Sequence, residues 1–505
     1  MAGGMKQLAK DTAIYGLSTI LGRFLNWLLV SLHTRTLPDL SDYGVVTNLY
    51  GWTALLLVLL VCGMETGLFR FINRKDEQEP MRVYSTTLYT VASLSLLFLA
   101  AVFLFLNPVN RALGYDAHPE YVGMMAAIVA VDAFCCVPFA YLRYRGKAAR
   151  FAVIKLLNIA LNIALNIFFL LVCPRIHTVH PEWIDWFYKA DYGVGYIFVA
   201  NVFTTALTFI LLLPDMLPGF RARMDWQRLK KIFNYSFPIL ILGVAGVFNQ
   251  AADKILFPFM FEDHDYANTQ LGIYGACFKI AVVMMMFIQA FRYAYEPFIF
   301  AKNRDKDNRT AYAEAMKYFI IFALAIFLGV MFYLDVLKHL IDSAYYDGLI
   351  VVPIVMLGEL FFGIYFNLSV WYKLTDRTVW GAVFSIIGCI LTVAVIVFFV
   401  PRYGFVACAY ASLISNLAMM ALSYFIGRKK YPVAYDLRSA LLYGLVAAGL
   451  YAAGMIPQVE PMWLRLAYRT VLLALFAAFT IKRDFPSWNT RIRNGIVKKT
   501  QGFKY

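Results

Sequence analysis

The sequence predicts an all-α polytopic membrane protein with about 14 transmembrane helices, in which two pseudo-symmetric six-helix bundles precede a C-terminal helix pair. Three observations lead to this fold class. The 505 residues are 61% hydrophobic and only 15% charged, with a mean hydropathy of +0.64, which is typical of chains that cross a bilayer many times. Fourteen apolar stretches have the length of a membrane-spanning helix, and the first twelve fall into two blocks of six that share residues at a fixed offset.

Each predicted helix is a stretch of about 20 apolar residues, which is enough to cross about 30 Å of hydrocarbon. The first six define an N-terminal lobe, residues 1–213, with spans at 12–31, 43–62, 83–106, 121–142, 151–173 and 192–213. A basic cytoplasmic linker at 214–231 leads to a C-terminal lobe, residues 232–426, with spans at 232–257, 271–291, 316–334, 349–371, 379–400 and 404–426. The extra pair, within 437–481, has spans at 437–455 and 463–481, and a basic tail follows at 482–505.

Lysines and arginines lie mostly on one side of this predicted topology. Of the 46, 34 fall in the two tails and alternate loops, 6 in the opposite loops, and 6 within or at the edges of spans. The positive-inside rule therefore places both termini in the cytoplasm. The net charge of +15 then follows from topology and contact with anionic lipids, so no nucleic-acid partner is expected.

The two six-helix blocks share a pattern at a fixed offset. A shift of 231 residues lays Tyr43 and Gly44 of SDYGVV on Tyr274 and Gly275 of GIYGAC, and the same shift lays Arg23 on Lys254. Because each block has an even number of helices, a duplication would give parallel repeats related by an axis along the membrane normal. The alternative is that Tyr-Gly is merely a frequent pair at the membrane interface, where tyrosine is favoured.

These blocks, together with the stretches KQLAKDTAIYGLSTILGRFLNWLLV (6–30) and CGMETGLFRF (62–71), resemble the polysaccharide flippases of the multidrug/oligosaccharidyl-lipid/polysaccharide superfamily. The nearest likeness is to lipopolysaccharide or capsule biosynthesis flippases of Bacteroides-like bacteria. The resemblance implies two lobes that open alternately to each side of a bacterial inner membrane. It also implies transport of an undecaprenyl-pyrophosphate-linked oligosaccharide from the cytoplasmic to the outer leaflet. Lipid II flippases of the same superfamily also have fourteen helices, which leaves a peptidoglycan precursor as an alternative substrate.

Four cations in or at the edges of the spans are candidate ligands for the pyrophosphate that the resemblance implies: Arg23, Lys254, Lys279 and Arg292. A fixed cation in the membrane lowers the barrier to moving a phosphate through a low-dielectric layer. Arginine suits this role because its planar fork holds two phosphate oxygens and stays protonated when buried. The alternative for Arg23 is a structural ion pair with Glu65 or Asp132 on a neighbouring helix.

Two carboxylates, Asp132 and Glu359, lie in the fourth helix of each predicted block. A carboxylate inside a membrane can bind a cation or change its protonation state, so both are candidates for coupling transport to H+ or Na+. The alternative is a structural ion pair with a lysine such as Lys155 or Lys279.

Other function classes fit less well. A drug or organic-cation exporter of the same superfamily is expected to have an acidic cavity and twelve helices, so the embedded cations count against it. An enzyme acting on lipid-linked sugars needs a sizeable soluble domain, and the six histidines form no recognisable catalytic pattern. We therefore expect a transporter without a cofactor or a bound metal. Its expected partners are a lipid-linked oligosaccharide, membrane lipids, and a coupling ion or the membrane potential.

Overall fold

The computed structural model describes residues 21–22, 24–74, 78–302, 308–375, 377–457 and 460–484, with the side chains of 294, 296–302 and 308 left aside. Throughout this part of the chain the regular secondary structure is helical, and no strand occurs in it. Thirteen helices within it are long and apolar enough to cross a membrane. The predicted all-α polytopic fold is confirmed.

Half of the first predicted span lies outside the described residues, and its described part, α1, is helical at 21–22 and 24–36. The long helices that follow are α2 Leu40–Val61, α3 Pro80–Leu104, α4 Pro119–Tyr144, α5 Ala148–Ile167, α6 Gly193–Arg221, α7 Trp226–Leu256, α8 His264–Lys302, α9 Asn308–Phe332, α10 Val351–Leu368, α11 Val379–Tyr403, α12 Phe405–Lys430, α13 Leu437–Met455 and α14 Met462–Asp484. A short helix, Met64–Ile72, continues α2 beyond a left-handed break at Cys62 and Gly63. A π-helical turn, Phe168–Val172, joins α5 to the short helix Cys173–Val179.

The connector predicted at 214–231 is mostly helical. Helix α6 continues to Arg221 and α7 begins at Trp226, which leaves only residues 222–225 between them. Asp225 caps α7, because its carboxylate accepts hydrogen bonds from the backbone N–H groups of Gln227 and Arg228 at 2.9 and 3.1 Å. These bonds stabilise the ionised carboxylate and lower the pKa of Asp225. The predicted division into lobes and tail stays a prediction.

Within each half of the chain, consecutive helices pack into one group. Helix α4 contacts α2, α3 and α6, and α5 packs on α6. In the second half, α12 contacts α10 and α11, α8 packs on α10, and α7 packs on α11. The contacts between the two halves are made chiefly by α2, which lies against both α7 and α8.

Helices α2 and α8 cross where both begin, on the predicted outer side. A Cβ at Gly44 would overlap the backbone carbonyl oxygen of Asn268, and one at Gly272 would overlap that of Leu40. Only glycine lets the two backbones approach so closely, as at other small-residue contacts between membrane helices. The Tyr-Gly pair at Tyr43 and Gly44 is therefore part of a contact between the halves.

The C-terminal pair is attached to α9. Arg469 of α14 is buried and donates hydrogen bonds to the carbonyl oxygens of Gly454 and Phe332 at 3.0 and 3.2 Å, and to Asp335 at 2.8 Å. At the opposite end, Lys317 of α9 is paired with Asp484 of α14. These contacts fix α13 and α14 beside the second half of the chain.

Replacing Gly44 or Gly272 by alanine should destabilise the protein by about 1–3 kcal/mol, because the added methyl group forces α2 and α8 apart. The matched controls are Gly444→Ala and Gly449→Ala in α13, where a Cβ meets nothing within 4 Å and where alanine is the better helix former. Thermal unfolding in detergent measures the difference. Equal melting temperatures for Gly44→Ala and Gly444→Ala would contradict the close crossing.

Candidate functional site

A cavity of about 620 Å³ lies between the two halves of the chain. Its walls are formed by α1, α2, α7 and α8, with single residues from α5 and α6. It extends from Gly275, next to the α2–α8 crossing, to Met285, which is about 15 Å along α8. Its polar lining consists of Asn26, His33, Tyr43, Thr47, Tyr50, Asn162, Asn201, Gln250, Lys254 and Lys279.

Lys254, a predicted phosphate ligand, lines this cavity but is already paired. Its Nζ lies 3.0 Å from each carboxylate oxygen of Asp253 and 4.0 Å from the centre of the Phe278 ring. Tyr274 donates a hydrogen bond of 2.5 Å to the same carboxylate. The charge of Lys254 is thus largely compensated by its neighbour, which fits the structural role of an intramembrane ion pair.

Lys279, the second predicted phosphate ligand in the cavity, has a different environment. Its side chain is exposed to the cavity and makes no ion pair with any described acid. Trp27 of α1 donates a hydrogen bond of 2.5 Å to the backbone carbonyl of Lys279, which fixes this turn of α8 against α1. Because no described acidic residue lines the cavity, the ammonium group of Lys279 is a positive charge available to a ligand.

Uncharged polar groups on the first half of the chain complete the lining, and sequence reasoning missed them. Asn201 of α6 donates to the hydroxyl of Tyr50 of α2 at 2.6 Å. His33 of α1 is hydrogen-bonded to Asn166 of α5 at 2.8 Å, and Asn166 in turn donates to Asn162. The sequence NIALNIALNI (158–167) does indicate a polar helix face, because asparagines four residues apart lie on one side of a helix.

Glu359, a predicted coupling residue, lines a second, smaller cavity of about 20 Å³ beside the first. This volume is enough for one water molecule. Glu359 is only 5% exposed, and the lining also includes Asp253, Asn249, Thr392 and Asn416. Gln250 lines both cavities, so the small cavity directly adjoins the large one.

The other predicted site residues lie elsewhere. Asp132 of α4 accepts a 3.3 Å hydrogen bond from Thr205 of α6 and interacts electrostatically with Lys155. Arg292 is about 20 Å further along α8 than Lys279, where its guanidinium lies 4.4 Å from the centre of the Phe366 ring. Arg23 lies outside the described residues.

The described residues contain no group of three or more His, Cys, Asp and Glu side chains that could hold a metal ion. The seven cysteines all lie within the described residues and are free thiols.

The helices and the cavity define a multi-pass membrane protein with a polar, cationic chamber between two helical halves. Residues 8–301, more than half of the chain, match the family described as "Polysaccharide biosynthesis protein". The chain therefore belongs to this family. Comparison with curated proteins gives no match.

Solved structures share the fold. A structure titled "Lipid II flippase MurJ, inward closed conformation" superposes with a TM-score of 0.73 at 12% identity, over 92% of this chain and 98% of that one. An inward-facing multidrug resistance MATE family transporter of the MOP superfamily gives 0.63 at 15% identity, over 80% and 93%. The resemblance to this superfamily is confirmed, while the nearer likeness to flippases of Bacteroides-like bacteria stays a prediction.

If the Asp253–Lys254 pair is structural, replacing one member should lower the free energy of unfolding by more than half of the loss caused by replacing both. Asp253→Leu and Lys254→Leu each leave one charge unpaired in a largely buried site, a loss of up to about 3 kcal/mol. The double variant removes both charges, so its loss should be smaller than the sum of the two single losses. Thermal unfolding of the three variants measures this coupling, and strictly additive losses would show that the pair contributes nothing.

Proposed function

We propose that this protein moves an undecaprenyl-pyrophosphate-linked oligosaccharide from the cytoplasmic to the outer leaflet of a bacterial inner membrane by alternating access, for surface polysaccharide or lipopolysaccharide biosynthesis. Membership of the polysaccharide biosynthesis family supports the substrate class, and the fold shared with MurJ and MATE proteins supports transport rather than catalysis. The 34-to-6 distribution of lysine and arginine supports cytoplasmic termini.

The observation that carries the proposal is the charge of the central cavity. Its described lining contains two lysines and no acidic residue, and the unpaired ammonium of Lys279 attracts an anion. A cationic drug would meet repulsion at the same place. This favours a phosphate-bearing lipid over the drug or organic-cation exporter that the same fold also supports.

Lipid II remains the second candidate substrate, because the printed name of the MurJ structure is that of a lipid II flippase and the likeness covers 92% of this chain. Both substrates place a pyrophosphate between a polyprenyl tail and a sugar. The polysaccharide family match is the observation that favours a surface-polysaccharide precursor over lipid II.

The packing of α2 suggests how access would alternate. The crossing of α2 with α8 lies next to Gly275, at one end of the cavity. We propose that this crossing closes the outer side, so that the substrate would enter from the cytoplasmic side and leave after the crossing opens. Arg292, at the cytoplasmic end of α8, would contact the phosphate before Lys279 does. Arg23 is proposed as a further phosphate ligand on α1.

We propose Glu359, rather than Asp132, as the residue that couples transport to an ion. The small cavity around Glu359 is lined by carboxylate, amide and hydroxyl groups, whose oxygens are the ligands that hard cations prefer. It adjoins the substrate cavity, whereas Asp132 does not line it. Occupation of the small cavity by H+ or Na+ would neutralise a charge close to Lys254.

Lys279→Ala should slow translocation tenfold or more, because the phosphate loses a charge-assisted hydrogen bond of about 1.5–3 kcal/mol. Folding should be unaffected, since Lys279 has no acidic partner among the described residues. Lys279→Arg should retain most of the rate. The measurement is the rate at which an undecaprenyl-pyrophosphate-linked oligosaccharide becomes accessible to periodate outside reconstituted vesicles.

The matched control is Lys189→Ala, which removes an exposed lysine from the outer loop and should leave the rate unchanged. Arg23→Ala is expected to behave like Lys279→Ala in the same assay. A full rate in a well-folded Lys279→Ala protein would refute the phosphate-binding role of Lys279.

Glu359→Gln should abolish the response of translocation to an imposed H+ or Na+ gradient, because the amide keeps the shape of the side chain but cannot carry its charge. Asp132→Asn serves as the comparison and should keep the response. The rate is recorded with each gradient applied in turn across the vesicle membrane. An unchanged gradient response in Glu359→Gln, with its loss in Asp132→Asn, would move the coupling site to α4.

A further inference from the structure

The two halves of the chain contribute different chemistry to the central cavity. Both lysines and Gln250 come from α7 and α8, whereas the polar residues from α1, α2, α5 and α6 are amides, hydroxyls and one imidazole. Among the latter, Asn26, Tyr50, Asn162 and Asn201 are called the amide wall here. No residue of the amide wall carries a charge, so it adds no net charge to the attraction for phosphate.

Hydrogen bonds inside the amide wall explain part of its presence, since they hold membrane helices together. These bonds leave several donors and acceptors of the amide wall without a partner among the described residues. Asn201 donates both amide hydrogens, one to the Tyr50 hydroxyl at 2.6 Å and one to the Ile197 carbonyl oxygen at 2.8 Å. Its own carbonyl oxygen is left to accept, and the Tyr50 hydroxyl hydrogen is left to donate.

The remaining two residues add further capacity on the same side. Asn162 accepts from Asn166 through its carbonyl oxygen, which leaves its two amide hydrogens to donate. Asn26 is exposed in the cavity lining and forms no side-chain hydrogen bond to another described residue. The amide wall therefore presents both donors and acceptors to the cavity.

This mixture discriminates between ligands. A phosphate oxygen only accepts hydrogen bonds and a metal cation only needs acceptors, whereas a sugar hydroxyl both donates and accepts. We infer that the amide wall binds the sugar attached to the pyrophosphate, while Lys279 binds the pyrophosphate itself. This inference rests on the proposed function and adds to it that the cavity binds the sugar as well as the charged pyrophosphate.

The test compares two synthetic lipids: undecaprenyl pyrophosphate carrying a single hexose, and undecaprenyl pyrophosphate without a sugar. Binding to the full chain is titrated in nanodiscs. Tyr50→Phe removes one hydroxyl and keeps the ring, and Asn26→Ala removes an amide that has no described partner. Each should weaken binding of the hexose lipid two- to tenfold and leave binding of the bare lipid unchanged.

Lys279→Ala should weaken binding of both lipids, and Tyr410→Phe, on an exposed tyrosine of α12 outside the cavity, should weaken neither. Thermal unfolding confirms that each variant is folded. Equal losses for both lipids in Tyr50→Phe and Asn26→Ala, or no loss for either, would overturn the sugar-binding role. If the unaltered protein binds neither lipid, the proposed function itself fails.

Discussion

The close contact of α2 with α7 and α8 is the constraint on which the site depends. Helix α2 is the chief contact between the two halves of the chain, and glycine allows it to approach both partners. At one end Gly44 meets the backbone of Asn268, and further along Gly51 lies against Lys254. Because α2 also faces the cavity, the same packing that joins the halves sets the distance between the lysines and the amide wall.

In a membrane interior, the partners of a charged side chain determine whether its charge is available to a ligand. An unpaired cation there raises the free energy of the folded protein, and a carboxylate and hydrogen-bonding groups nearby offset much of this increase. Lys254 follows this rule through Asp253 and Tyr274. Lys279 does not, and it is exposed to the cavity instead. A cation that folding leaves uncompensated is the one whose charge remains for a ligand.

Composition and span length predicted the all-α membrane fold, because the bilayer allows few alternatives to long apolar helices. Two predicted phosphate ligands, Lys254 and Lys279, do line one cavity. The pairing of Lys254 could not be predicted with the same ease, since it depends on rotamers and on Tyr274 from the next helix. The spacing of the asparagines predicts a polar face on α5, but the helix that packs against this face is known only from the tertiary structure. Arg292 shares a helix with Lys279, yet helical rise alone places it about 20 Å away.

The two contacts of α2 differ in where glycine brings the backbones together. Against α8, the closest approach is at the outer end, where Gly44 meets the backbone of Asn268 and Gly272 meets that of Leu40. Against α7, the close approach lies further along α2, where Gly51 contacts Lys254. In the proposed transport cycle, opening the cavity outward would have to part the backbones that meet at the first of these contacts. Backbone packing at this crossing, rather than any single side chain, would then hold the outer end closed.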